Sequence, residues 1–240
     1  GLVGSEMCIR DRDNFSQGVT KRLGIDHQSL KKVNSKIITC SISGFGDTEV
    51  NRPAYDNLIQ GYAGAMSITG TDKESPVKSG IPIADLGAGL YAVIGILSAI
   101  QSREKNNSGE HVDISMLDTQ VSLLTYMATM HFLSGENPEP IGNQHMNHVP
   151  FNSYRTSDGF IQIGVVAEDF WPSLIEALNL RKLDTEENKA RIGRLKNREN
   201  IDQAVQDVFI TNTTEHWLKI LQEHRVPCGP INTLSETFHR

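Results

Sequence analysis

Between Ala84 and Gln101 the chain is apolar at nearly every helical position, through Leu86, Leu90, Tyr91, Val93, Ile94, Ile96, Leu97 and Ile100, and its only charge there is Asp85. A surface helix confines its apolar residues to one stripe, so a run that is apolar all round predicts a helix buried on most faces. The rest of the chain must supply the material that buries it, and 38% of the 240 residues are hydrophobic, enough for a packed core. The uncharged part, Gly87 to Ile100, is shorter than the roughly 20 residues of a membrane span. Neither a span nor a membrane partner is expected.

The other elements follow from periodicity and punctuation. Asp26–Val33 reads as a short helix capped by Asp26. Lys36–Ile42 is a β-branched run that meets Ser43-Gly44, a buried strand entering a loop. Pro53 is placed to open a helix carrying Tyr55, Leu58, Ile59, Tyr62 and Met66. Thr71–Ile83 is a polar loop, His111–Ser115 alternates as a strand, and Met116–Leu133 reads as one helix stopped by Gly135 and Pro138. Beyond the Gly/Asn/Pro-rich stretch Gly135–Pro150, a strand is expected at Phe160–Gly164. Helices follow near Glu168–Leu178, Arg198–Ile210 and Thr214–His224, then a short strand in Val226–Ile231.

This alternation predicts an α/β fold. The expected division is a leader at 1–12 that is foreign or disordered, part of a large domain at 13–134, a linker or lid at 135–155 and a small α+β domain at 156–240. Both ends read as cut edges, because Gly1 opens the chain and His239-Arg240 closes it without a terminating pattern.

Composition removes several function classes. A formal charge of −6 and 6% aromatic residues supply neither the basic footprint nor the stacking platforms of a nucleic-acid binder. Cys8, Cys40 and Cys228 are odd in number and far apart, which predicts neither disulfide nor zinc site and fits a reducing, cytoplasmic setting. His111, His145 and His148 lack the spacing of a metal set. Gly44-Phe45-Gly46 lacks the Gly-Lys continuation of a phosphate loop.

That leaves Asp85. A carboxylate in a helix's first turn is ordinarily a cap or a dipole partner. Here the helix behind it is too apolar for a surface helix, and Gly80, Gly87 and Gly89 surround it, so a ligand has room to approach. The helix N-terminus should favour its ionised form, which a carboxylate nucleophile requires.

Several segments, in order, resemble the class III CoA-transferases of the formyl-CoA and carnitine-CoA transferase type. They are Asn14-Phe15, Gly18-Val19 and Arg22-Leu23-Gly24; Tyr55-Asp56, Gln60, Gly64, Met66 and Thr69-Gly70; and Pro82-Ile83-Ala84-Asp85 with Gly89. Gly109, Val112-Asp113, Ser115 and Leu117-Asp118 continue the series, followed by Gly142-Asn143-His145, Thr156, Asp158-Gly159 and Val226-Pro-Cys-Gly-Pro230.

The resemblance implies a partial Rossmann-like large domain with a smaller α+β domain, truncated at both ends, in an interlocked homodimer. It implies an enzyme that moves CoA from an acyl-CoA donor to a carboxylic acid. Asp85 would be the nucleophile, through an aspartyl anhydride and an aspartyl-CoA thioester, with backbone N–H groups near Gly-rich turns stabilising each oxyanion. CoA thioesters are then substrates, and no cofactor is permanently bound. By the same resemblance Asn14, Phe15, Ser16, Arg22, Ala54, Tyr55 and Asp56 would contact CoA or substrate, although Pro53 stands where some members have lysine. Gly142, Asn143 and His145 fall where relatives carry a glycine-rich lid, and here that run of glycines is missing. The alternatives are an α-methylacyl-CoA racemase, whose relatives have histidine where this chain has Tyr55, and a CoA-binding fragment without activity.

Overall fold

The computed structural model describes residues 10–13, 18–48, 50 and 52–238, the first four as backbone only. Asn14, Phe15 and Ser16 lie outside the described residues. The chain divides into two compact units, Gly1–Pro140 and Ile141–Arg240.

In the first unit, β1 (Arg10–Asp13), β2 (Ile38–Ser43) and β3 (His111–Ser115) form a parallel sheet in that order. Three residues of the expected leader, Arg10, Asp11 and Arg12, pair with Ile38, Thr39 and Cys40. The helices are α1 (Val19–Leu23), α2 (His27–Val33), α3 (Asp56–Tyr62), α4 (Ile83–Asn106), α5 (Met116–Ser122) and α6 (Tyr126–Ser134). Asp26 caps α2 by accepting the Ser29 N–H at 3.2 Å, as its sequence position predicts.

Four expectations are corrected. Helix α3 begins at Asp56 and not at Pro53. A Cβ on Gly44 would stand 2.1 Å from the Ala54 Cβ, so the 53–55 segment lies extended across the Gly44 backbone, and a tertiary contact overrides the local start signal. The single helix expected over Met116–Leu133 is broken at Thr125, whose φ of 49° departs from helical geometry. Helix α4 runs to Asn106 and is capped by Asn107 in the left-handed conformation.

The burial of α4 is the third correction. Its packed face is made of small residues, Ala84, Gly87, Ala88, Ala92 and Ala99. These let the helix lie close against the sheet: a Cβ on Gly95 would come 2.5 Å from Val112. The large side chains point the other way, and Leu86, Leu90, Val93, Ile94 and Leu97 each keep half or more of their surface exposed. The 24-residue helix is also long and apolar enough, by length and composition alone, to cross a membrane, contrary to the expectation from Gly87–Ile100. Its face of small residues nonetheless packs on protein, with Ala84 and Ala88 in one buried cluster with Phe45, Ile59 and Met116.

The second unit has an antiparallel sheet, β4 (Phe151–Arg155), β5 (Phe160–Gly164) and β6 (Cys228–Pro230) in that order. Its helices are α7 (Phe170–Ala177), α8 (Glu186–Lys189), α9 (Arg191–Lys196), α10 (Arg198–Phe209), α11 (Thr214–Glu223) and α12 (Leu234–Phe238). Strand β4 and helices α8, α9 and α12 are additions to the sequence expectation. The core gathers Tyr154, Ile161, Ile163, Trp171, Leu174, Ile201, Val205, Phe209, Trp217 and Leu221. At its edge Arg194 is fully buried. It donates to the carbonyls of Val149, Asn188 and Lys189 at 2.9 to 3.0 Å and to Glu168 at 2.7 Å.

Candidate active site

Ligands of open parallel sheets bind beyond the C-terminal ends of the strands, and in the first unit that edge is closely ordered. The turn after β2 is fastened by the Gly46 N–H to Ser43 Oγ at 2.9 Å and the Asp47 N–H to Asp113 Oδ2 at 2.8 Å. The Leu117 N–H, at the start of α5, donates to the Gly44 carbonyl at 3.0 Å. Between β2 and β3 the chain passes through α3 and α4, and the first turns of these two helices meet.

Asp56 makes that junction. Its Oδ1 accepts the N–H of Ala84 at 2.9 Å and that of Asp85 at 3.4 Å, and its Oδ2 accepts from Gln60 Nε2 at 2.6 Å. Gln60 is 1% exposed, and its Oε1 accepts the Ser79 N–H at 2.8 Å. One buried amide thus ties the polar loop before α4 to the carboxylate that caps α4. Gln60 and Ser79 also line a cavity of about 310 Å³ with Ile83, Gln120 and Thr125 among its other walls. The Gln120 Oε1 is buried without a hydrogen-bond partner.

Asp85 stands exposed beside this cap. Its carboxyl is pushed above the ordinary aspartate range, first by partial desolvation and then by the charge of Asp56. This reverses the expectation that the helix end would favour ionisation, because desolvation, with the charge of a second carboxylate at the same end added to it, outweighs the helix end. The N–H donors of the first turn are also spent: Ile83 on the Ile81 carbonyl, Ala84 and Asp85 on Asp56, Leu86 on the Pro82 carbonyl. Among the nearby glycines, a Cβ on Gly80 or Gly89 would meet open space, whereas one on Gly87 would press at 3.1 Å on Thr119 of α5 and on Leu123 at its C-cap. Gly80 and Gly89 therefore leave room for a ligand, and Gly87 serves helix packing.

Of the other expected contacts in this unit, Ala54 is half-buried under Gly44, and Tyr55 is 68% exposed at the N-cap of α3, which removes core packing as its role. Arg22 projects exposed from α1, and no hydrogen bond or ion pair among the described residues joins it to the Asp85 network. In the second unit, Gly142 adopts a φ of 62° and Asn143 donates to Ser153 Oγ at 2.6 Å. The His145 N–H donates to the Phe151 carbonyl at 3.2 Å, and its own carbonyl accepts from Arg198 at 2.7 Å. Among the described residues no group of His, Cys, Asp and Glu is arranged to hold a metal. Sequence reasoning gave Gln60 no role of its own. The signal was there, an amide one turn after Asp56 on an otherwise apolar stretch of helix.

The family model for CoA-transferase family III matches residues 12–240. The chain belongs to CoA-transferase family III. A succinate–glutarate CoA-transferase of Agrobacterium fabrum is 32% identical over 232 residues, covering 94% of this chain and 57% of the relative. A succinyl-CoA:mesaconate CoA-transferase of Haloarcula hispanica is 31% identical over 232 residues, covering 94% and 58%. A CaiB/BaiF family protein from Brucella suis superposes with a TM-score of 0.88 at 32% identity, over 97% of this chain and 62% of that one. The fold is that of the class III enzymes, and the chain spans under two thirds of the length of these relatives.

Proposed function

We propose that this chain is part of a longer CoA-transferase, in which Asp85 carries CoA from an acyl-CoA donor to a carboxylic acid. The observation that carries the reading is the carboxylate of Asp85, left open at the C-terminal edge of the parallel sheet while Asp56 satisfies the helix end beneath it. In the ionised form it attacks the donor thioester, forming an acyl–aspartyl anhydride and releasing CoA thiolate. The thiolate attacks the aspartyl carbonyl, giving aspartyl-CoA thioester and the free donor acid. The acceptor carboxylate then attacks that thioester to form a second anhydride, and returning thiolate takes the new acyl group and restores Asp85. Each step exchanges one acyl bond for another, so no redox partner or metal is required.

The raised proton affinity of Asp85 makes its ionised form a stronger nucleophile. The oxyanion donors come from outside the first turn of α4, whose N–H groups are occupied. The relatives named as succinate–glutarate and succinyl-CoA:mesaconate transferases support dicarboxylic acids as substrates. The bare face of α4 supports burial in an oligomer, a homodimer by the family resemblance. The odd number and wide spacing of Cys8, Cys40 and Cys228 support the cytoplasmic setting proposed here. The racemase reading needs a second acid–base group next to Asp85, and the carboxylate that is there, Asp56, is taken up by backbone N–H groups and Gln60.

The test incubates the longer protein with succinyl-CoA and traps the acyl-enzyme with hydroxylamine or borohydride, with Asp85→Asn as control. Peptide mass spectrometry should find the modification on Asp85 and lose it in the variant. No modification from any of several acyl-CoA donors, together with exchange of an α-proton in deuterated water, would overturn transfer in favour of racemisation.

A further inference from the structure

Arg52 is held in an unusual way for an exposed cation. Phe45 and Tyr62 form an edge-to-face pair, with ring centroids 5.7 Å apart and planes at 75°. The Arg52 guanidinium carbon lies 4.9 Å from the centroid of the first ring and 4.6 Å from that of the second. Two cation–π contacts hold the guanidinium carbon against both rings, and contacts of this kind do not use its N–H donors. Among the described residues no carboxylate lies within ion-pair distance of Arg52, and no acceptor takes its protons.

Its supports place it beside the candidate site. Phe45 belongs to the buried cluster that contains Ala84 and Ala88 of α4, the helix that carries Asp85. Tyr62 is the last residue of α3, the helix that opens with Asp56. Arg52 also directly precedes Pro53-Ala54-Tyr55. Two described lysines of the polar loop before α4 are differently engaged: Lys73 pairs with Glu139 at 3.5 Å, and Lys78 donates to the Ser79 carbonyl at 3.3 Å. A preorganised, unpaired guanidinium is the group best suited to grip a carboxylate in two-point fashion.

We propose that Arg52 binds the second, non-reacting carboxylate of a dicarboxylic acid substrate and so selects diacids over monoacids. This rests on the CoA-transferase reading. A diacid brings a charge that must be desolvated when its other end meets Asp85, and Arg52 supplies the countercharge with its own orientation already fixed. Stacking on Phe45 and Tyr62 lowers the ordering cost of the long side chain.

The experiment compares glutarate with butyrate as acceptors from succinyl-CoA in the longer protein, for the native sequence, Arg52→Gln and Arg52→Lys. A charge-assisted hydrogen bond accounts for about 10- to 100-fold in binding. The glutarate-to-butyrate ratio of kcat/KM should therefore fall by about that factor in Arg52→Gln, mainly through KM for glutarate. Arg52→Lys should keep part of the ratio, since it retains charge but not the fork. An unchanged ratio in Arg52→Gln, with Asp85 still modified by succinyl-CoA, overturns the assignment of Arg52 alone. A native protein in which Asp85 takes no label and neither acid accepts CoA overturns the reading beneath it as well.

Discussion

The Asp56 Oδ1 accepts the backbone N–H of Asp85 itself, at 3.4 Å, so the carboxylate that caps α4 is bonded to the residue whose side chain it repels. Capping and charge act on Asp85 in opposite directions. The cap fixes where its Cα sits, and the charge makes its carboxyl harder to ionise.

Asp56→Asn separates the two effects. Asparagine keeps an oxygen to accept the Ala84 N–H and loses the charge. Desolvation, the larger cause of the upward shift, remains, and the contribution of Asp56 disappears. The Asp85 carboxyl then ionises at lower pH, and the acid limb of its acylation by succinyl-CoA should move downward. Rates of Asp85 modification measured from about pH 4 to 7 check this, and a limb that stays in place or moves upward contradicts it.

Gly44→Ala puts a methyl where the Ala54 Cβ already lies, 2.1 Å away. Neither group can rotate aside, so the 53–55 segment must lift from the turn after β2. Overpacking of this kind costs about 1 to 3 kcal/mol, and CoA transfer should drop by at least about tenfold if that segment positions substrate. The double variant Gly44→Ala, Ala54→Gly exchanges the methyl between partners and should recover most of both losses. Failure of the double variant to recover would mean that Gly44 is needed for another reason.

Arg194→Leu removes the donors for three carbonyls and leaves Glu168 with the Arg191 N–H as its remaining hydrogen-bond donor. Glu168 returns to water readily because its side chain is 58% exposed. The cost therefore comes mainly from the buried carbonyls of Val149, Asn188 and Lys189, and should be about 3 kcal/mol. Trp171 and Trp217 both sit in the second unit's core, so tryptophan fluorescence in a urea titration reads its unfolding. A loss below about 1 kcal/mol would show that water replaces the guanidinium without penalty.

Asp202 lies half-buried against Tyr154, whose hydroxyl donates to its Oδ1 at 2.5 Å. Desolvation raises its pKa, and the Tyr154 hydrogen bond and the charge of Arg198 offset only part of that. A carboxyl with a raised folded pKa contributes stability below its unfolded value, about 3.9, and that contribution is lost as pH rises through the folded value. Asp202→Asn keeps the acceptor for Tyr154 and does not ionise. Its melting temperature should exceed the native one near pH 7, with the gap closing toward pH 4. A gap that widens on acidification would contradict the sign.

Elements with strong local signatures were legible in the sequence. Asp26 caps α2, the β-branched run around Cys40 is the central strand of its sheet, and α10 and α11 fall within a residue of their expected ends. What escaped was set by contacts distant in sequence. Nothing around Thr125 in Leu123-Leu124-Thr125-Tyr126 marks a break, since no glycine or proline stands there. Pro53 gave a sound local signal that Ala54, pressed on Gly44, overrides. At the candidate site the chemistry of Asp85 could be suspected from its setting, but the sign of its pKa shift could not. That sign comes first from the desolvation that folding imposes on the carboxyl and then from Asp56, 29 residues earlier, lying across the same helix end. Arg52 is invisible to pattern reading because its role depends on two rings that only folding brings together.

The division of α4 into a small packed face and a large bare one bears on how such a protein is made. Each Leu, Ile or Val on the bare side, with half or more of its surface still exposed, stands to release about 1 to 2 kcal/mol when covered. Until then the row that runs from Leu86 to Leu97 is an adhesive strip on a newly synthesised chain. Production in a host should accordingly be limited by precipitation and chaperone retention, not by proteolysis of an unfolded interior. Yield should improve with slower synthesis, because time to find a cover is what the nascent molecule lacks.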